Sequence, residues 1–138
     1  MRDIKFRGQS INTIGCGKPI KEWVYGCLVI DESREDKYRY RIQPKEGDQF
    51  YAPPIIPETI AQYTELKDKN GTEIYEGDIV RIKATPPFTF DRVDVIIFKN
   101  GVFGLTDKFG QIEKLPVLSL DCYEVIGNVI SNPDLIKQ

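Results

Sequence analysis

A mainly β protein is the fold class that this sequence predicts, and three observations predict it. Apolar residues come in short runs broken by Gly, Asn, Asp and Pro at close intervals, the pattern of many short strands. No segment sustains the 3.6-residue periodicity of a long amphipathic helix. The chain has 138 residues, 41% hydrophobic and 29% charged, enough to bury a core of its own rather than remain disordered. The second half concentrates roughly five short strands joined by tight turns, which suits a small closed barrel, because closure removes exposed sheet edges.

The first strand is expected at Asp3–Arg7, with Ile4 and Phe6 on one face. Ser10–Lys21 contains glycines and reads as a loop. Glu22–Ile30 is apolar on both faces and reads as a central strand, with Gly26 marking a bulge or a close backbone approach. Cys27 is expected in the core. Lys37–Ile42 alternates Lys37, Arg39 and Arg41 with Tyr38, Tyr40 and Ile42, a third strand. Pro53, Pro54 and Pro57 exclude a paired central strand from 52–57, which reads as an extended connector, and Pro57-Glu58-Thr59 opens a helical turn.

The clearest local signal is Asn70-Gly71. It closes a hairpin between Ile60–Leu66 and Thr72–Tyr75, with positive φ at Asn70 or Gly71. Glu76-Gly77-Asp78 turns into a strand over Ile79–Lys83. Ala84–Asp91 is a loop holding Pro86, Pro87, Phe88 and Phe90. Val93–Phe98, a turn at Lys99-Asn100-Gly101, Val102–Leu105, Gln111–Leu115 and Tyr123–Ile130 follow. Asn132 is an N-cap candidate, with Pro133 at the first helical position. The expected organisation is an N-terminal β unit, residues 1–58, followed by a small β-barrel, residues 59–138.

The net charge is −2, which gives no nucleic-acid coat and leaves room for a local basic patch. The sequence contains no histidine, so the commonest general base and metal ligand is missing and Ser–His or Cys–His nucleophiles are excluded. Cys16, Cys27 and Cys122 have none of the short spacings of zinc or redox motifs and read as free thiols. The opening residues have no apolar h-region and no stretch is long enough to cross a membrane, so a cytoplasmic protein is expected.

Arg2-Asp3-Ile4-Lys5-Phe6-Arg7-Gly8, Glu22-Trp23-Val24-Tyr25-Gly26 and Pro57-Glu58-Thr59-Ile60-Ala61-Gln62-Tyr63-Thr64 resemble segments of the YopX family of phage and prophage proteins. The most specific match is Leu66-Lys67-Asp68-Lys69-Asn70-Gly71-Thr72-Glu73-Ile74-Tyr75-Glu76-Gly77-Asp78-Ile79-Val80. Tyr123-Glu124-Val125-Ile126-Gly127-Asn128-Val129 and Asn132-Pro133-Asp134-Leu135 are similar too. The resemblance implies a mainly β fold, an SH3-like barrel in the C-terminal half, and a phage or prophage gene in a bacterial host. It implies no activity. Two departures stand out: Glu65 replaces an expected glycine, and Ser10–Lys21 is longer than the short turn typical there.

Three motifs fall short of a site. Asn12–Pro19 resembles a phosphate-binding loop but lacks its first glycine and its final serine or threonine. Asp68–Thr72 opens like a calcium loop, yet Glu73 and Ile79 stand where glycine and glutamate belong. Asp68, Glu73, Glu76 and Asp78 form an acidic set that a metal-assisted nuclease could use; solvated charge around two turns is the expected reading. No cofactor and no metal are therefore expected.

Two surfaces remain as candidates. Lys5, Arg7, Lys37, Arg39 and Arg41 line one face if their strands share a sheet, a stripe able to neutralise phosphates; the alternative is an ordinary charged outer face screened by Glu35 and Asp36. Phe88 and Phe90 sit in a proline-stiffened loop and either fold onto the barrel or meet a partner. The leading expectation is a non-enzymatic phage accessory protein acting by protein–protein contact, with a second copy or with a host or phage protein. The alternative is a nucleic-acid-binding accessory protein using the basic strand.

Overall fold

The computed structural model describes residues 3–12, 20–44, 52–84, 90–106, 110, 112–114 and 120–136. Its elements are β1 (Phe6–Asn12), β2 (Ile20–Ile30), the short helix α1 (Asp36–Arg39), β3 (Tyr40–Pro44), β4 (Ala61–Lys67), β5 (Glu73–Tyr75), β6 (Asp78–Ile82), β7 (Arg92–Lys99), β8 (Val102–Thr106), β9 (Ile112–Lys114) and β10 (Tyr123–Asn128). Turns of 3-10 helix lie at Pro57–Thr59, Leu120–Cys122 and Pro133–Ile136. The fold is mainly β. Its strands form two antiparallel sheets, ordered β3-β2-β1-β4-β5 and β10-β6-β7-β8-β9. The chain divides into two compact units, Met1–Tyr63 and Thr64–Gln138, with the division inside β4.

In the N-terminal unit β1 pairs along its length with β2, from Phe6↔Gly26 to Asn12↔Ile20. Ser10, Ile11, Asn12, Ile20 and Lys21 are thus strand, not loop; residues 13–19 lie outside the described residues. The third strand also differs from expectation. Residues 36–39 are helical and β3 begins only at Tyr40, opposite Ile30, the last residue of β2. An alternating sequence becomes a strand only where a neighbour supplies hydrogen bonds. Before Tyr40 the local chemistry prevails: Asp36 sits in the first helical turn and pairs with Arg39 at 3.1 Å.

The proline-bearing connector is extended, as its composition requires, and it bridges two strands. The Ile55 amide donates to the Tyr40 carbonyl at 2.8 Å, and the Ile56 amide donates to the Gln9 carbonyl at 2.9 Å. The prolines carry no N–H, so the isoleucines supply the donors while Pro53 offers its carbonyl to Ile42. Thr59 completes the turn: its hydroxyl donates to the Ile56 carbonyl at 2.6 Å and accepts from the Gln9 amide at 2.8 Å. Ile42 and Ile55 are the buried aliphatics beneath. Gly8 lets them approach, since a Cβ there would lie 2.3 Å from Ile55 Cγ2. At Gly26 a Cβ would meet the Gln43 carbonyl oxygen at 1.9 Å, which is the close backbone approach expected of that glycine.

In the C-terminal unit the β4–β5 hairpin closes at Asp68–Thr72, with Gly71 at φ 81°. Glu65, at the position where the family pattern expects glycine, has φ 74°. The Thr64 hydroxyl supports that irregularity, donating to the Ile74 carbonyl at 2.8 Å and accepting from the Leu66 amide at 3.2 Å. Ile74, Val80, Ile82, Ile96, Leu105 and Tyr123 form the core, with Leu66, Cys122 and Val125 packed against it. Gly77, Asn100 and Gly101 take positive φ in the two later turns. The Asn132 side-chain oxygen accepts from the Asn128 amide at 3.2 Å, beside Gly127, whose Cβ would collide with it.

Candidate functional site

Two members of the acidic set, Asp68 and Asp78, are structural. Asp68 is buried, and its carboxylate accepts three backbone amides: Asn70 and Thr72 on Oδ1, both at 2.9 Å, and Val125 on Oδ2 at 2.8 Å. Asp78 is buried too and accepts the Tyr75 amide at 2.7 Å. These carboxylates are therefore not solvated charge, as the sequence suggested; they replace missing strand partners at two turns. Glu73 accepts the Tyr75 hydroxyl at 3.2 Å. Among the described residues no group of three or more Cys, Asp or Glu is arranged to hold a metal ion.

The basic residues are brought together only in part. β1, β2 and β3 do share a sheet, and the register puts Arg7 and Arg41 on its outward side, opposite the side that carries buried Ile42. Lys5 precedes β1, and its carbonyl accepts the Tyr63 amide. Lys5 Nζ lies 5.0 Å from the Tyr63 ring centroid and 3.8 Å from an Asp3 oxygen. Arg7 is buried, its guanidinium 5.0 Å from the Trp23 ring centroid. Lys37 and Arg39 lie in α1 rather than on a strand, and Arg39 pairs with Asp36. The five do not form one exposed stripe: the strand alternation behind it ends at Tyr40, and two of the cations are engaged by aromatic rings.

β2 also departs from its expected burial. Cys27 is exposed rather than core, because it pairs with Gln43 on the outward side, alongside Tyr25 and Val29. A strand flanked by neighbours on both edges is not thereby covered on both faces.

Between β6 and β7, the Ala84 amide donates to Asp91 Oδ1 at 2.8 Å. Phe90 is 83% exposed. Phe88, with Pro86 and Pro87, lies outside the described residues.

One surface was missed by sequence reasoning. In the sheet β10-β6-β7-β8-β9, Ile96↔Leu105 marks the core side. The opposite side of β7–β9 carries Val93, Val95, Ile97, Val102, Thr106 and Ile112, paired as Val95↔Thr106↔Ile112, with Lys99 and Lys114 at register positions on the same side. Val93 and Val102 are exposed, and Ile112 is 47% exposed. A solvated antiparallel face ordinarily alternates to polar residues. The signal was present in Val93-Asp94-Val95-Ile96-Ile97-Phe98, which is apolar at both parities except for Asp94. Asp94 itself is buried and ion-paired with Arg92. Among the described residues no helix is long and apolar enough to cross a membrane.

A family model described as YopX protein matches residues 18–137. The crystal structure of protein EF1440 from Enterococcus faecalis is similar, with 25% sequence identity and a TM-score of 0.56 over 99% of this chain and 100% of that one. No curated protein matches the sequence.

Proposed function

This chain belongs to the YopX family, and from that membership we propose a non-enzymatic accessory role in phage or prophage biology, exercised in the bacterial cytoplasm through protein–protein contact. The observation that carries the reading is the aliphatic outward face of β7–β9. Val93, Val102 and Ile112 are exposed there beside Val95 and Ile97. Burying such a patch against a partner removes apolar surface from water at roughly 25 cal/mol per Å². Phe90 stands three residues before Val93 and supplies an aromatic anchor at the margin of that face.

The strand order β10-β6-β7-β8-β9, with a 3-10 turn leading into β10, supports an SH3-like barrel for residues 59–138. In such barrels the long loop after the first strand lies beside the usual ligand surface, and the family resemblance implies that place for segment 84–91, whose sequence holds Phe88 and Phe90. A second copy of the chain is the first partner to test, since an exposed β-branched face is suited to sheet-on-sheet stacking.

Sedimentation velocity of the wild type and of a Val93→Lys/Ile112→Lys variant tests this. The wild type should sediment above monomer mass and the variant as a monomer with the wild-type circular dichroism spectrum. A Phe90→Ala variant should weaken the association without unfolding the chain. A monomeric wild type that also captures no protein from nuclease-treated, phage-carrying host cells would remove the proposal.

A further inference from the structure

The outward side of β2 and β3 in the N-terminal unit carries a second kind of chemistry. Trp23, Tyr25, Cys27 and Val29 follow one another along β2 on that side. Tyr25 is 45% exposed, and Cys27 and Val29 are exposed as well. On β3 the register sets Gln43 beside Cys27 and Arg41 beside Val29.

Arg41 is the unusual member. It is half-buried, no hydrogen bond or ion pair engages its side chain among the described residues, and its Nε is buried without a partner. Buried guanidinium N–H groups are almost always satisfied, so one without an acceptor leaves a charged donor in want of an oxygen partner. The Arg39 Nε is in the same condition, and the Asp36 carboxylate that pairs with its terminal nitrogen is 92% exposed, a surface pair of little strength. The Asp31 carboxylate is taken as well: it accepts both the amide and the hydroxyl of Ser33 and pairs with Arg34 at 3.1 Å. Neither acid answers Arg41.

An exposed ring and a half-buried, unsatisfied guanidinium on one sheet face call for a ligand with both a flat π surface and anionic oxygens. Tyr25 and Arg41 stand about 13 Å apart along the strands, a span of a few nucleotides. A free phosphate has no π surface, and a duplex keeps its base faces stacked inside. We infer that this face binds single-stranded nucleic acid, with Tyr25 stacking a base and Arg41 holding a backbone phosphate. The inference does not rest on the protein-contact reading, which concerns β7–β9.

Fluorescence anisotropy of a fluorescein-labelled oligothymidylate with the full chain tests it. Binding should be measurable at about 50 mM salt and weaken roughly two- to threefold by about 200 mM, as one phosphate contact requires. Tyr25→Ala should weaken it roughly tenfold or more, while Tyr25→Phe retains most of it. Arg41→Ala should weaken it and reduce the slope of log affinity against log salt by about one. The Val93→Lys/Ile112→Lys variant should not weaken binding, so failure of the protein-contact reading is separable from failure here. Absence of binding at about 50 mM salt overturns the inference. So does an unchanged affinity in Tyr25→Ala, even if Arg41→Ala weakens it, because that result describes an anion site alone. Equal affinity for a duplex of the same length overturns it too.

Discussion

The two units solve the problem of a small β structure in different ways. In the C-terminal unit six buried side chains, Ile74, Val80, Ile82, Ile96, Leu105 and Tyr123, form one apolar cluster. The turns beside it are held by buried carboxylates, Asp68 and Asp78, that accept main-chain amides. In the N-terminal unit the buried aliphatics are few, and the buried residues include Arg7, Gln9, Ser10 and Thr59. Its strands are tied by the connector's amides and the Thr59 hydroxyl. The difference teaches where each unit is vulnerable: the first depends on charged acceptors at fixed points, the second on neutral main-chain bridges that water can replace more cheaply.

The largest expected effect tests the charged acceptor. Asp68→Ala leaves three amides without their partner and should cost about 3 kcal/mol, read as a lower urea midpoint. Asp68→Asn, which keeps one acceptor oxygen, should cost less. A loss under about 1 kcal/mol in Asp68→Ala would mean that water serves those amides and that the contrast between the units is false.

Thr59→Val keeps the shape and removes the hydroxyl between Gln9 and Ile56. The expected loss is about 2 kcal/mol, with faster hydrogen exchange at Gln9 and Ile56 than at the amides of β6 and β7. Uniform acceleration throughout the chain would show that the bridge is not local to the N-terminal unit.

Glu65→Gly runs the other way. A glutamate at φ 74° pays a left-handed backbone penalty that glycine lacks, so the variant should gain about 0.5–1 kcal/mol after glycine's extra chain entropy is subtracted. A lower thermal midpoint would contradict the strain assigned to this position.

The smallest effect is electrostatic. Hydrogen bonds from the Ser33 hydroxyl and amide, with a lesser contribution from Arg34, hold the Asp31 carboxyl below its ordinary value of 3.8. A folded value below the unfolded one means that the stabilisation is present above the ordinary value and is lost as pH falls through the lowered one. Ser33→Ala should move the Asp31 titration, followed by carboxyl NMR, upward toward the ordinary value. An unchanged titration would assign the shift to another neighbour.

The turns were legible from sequence because their cause is local. Gly71 and Gly77 take positive φ where the sequence placed turns, and Pro57 opens the turn at Thr59. Asn70-Gly71 needs only its own backbone to close a hairpin. The family resemblance was legible for the same reason, since its most specific segment is built around those glycines.

What sequence alone determined about this protein is therefore its family, its mainly β class and the positions of its tight turns. Tertiary structure decided which face of each strand is covered. Cys27 and Leu28 are neighbours in one apolar run, yet Leu28 lies opposite buried Ile42 while Cys27 faces outward. Asp68 is polar by composition and buried in fact, because an amide distant in sequence, that of Val125, needs its oxygen. Lys37 and Arg39 read as strand and became helix because β2 ends at Ile30 and offers no further partner strand. Backbone φ preferences belong to single residues, whereas burial, pairing and the fate of a polar group depend on which distant segment arrives beside it.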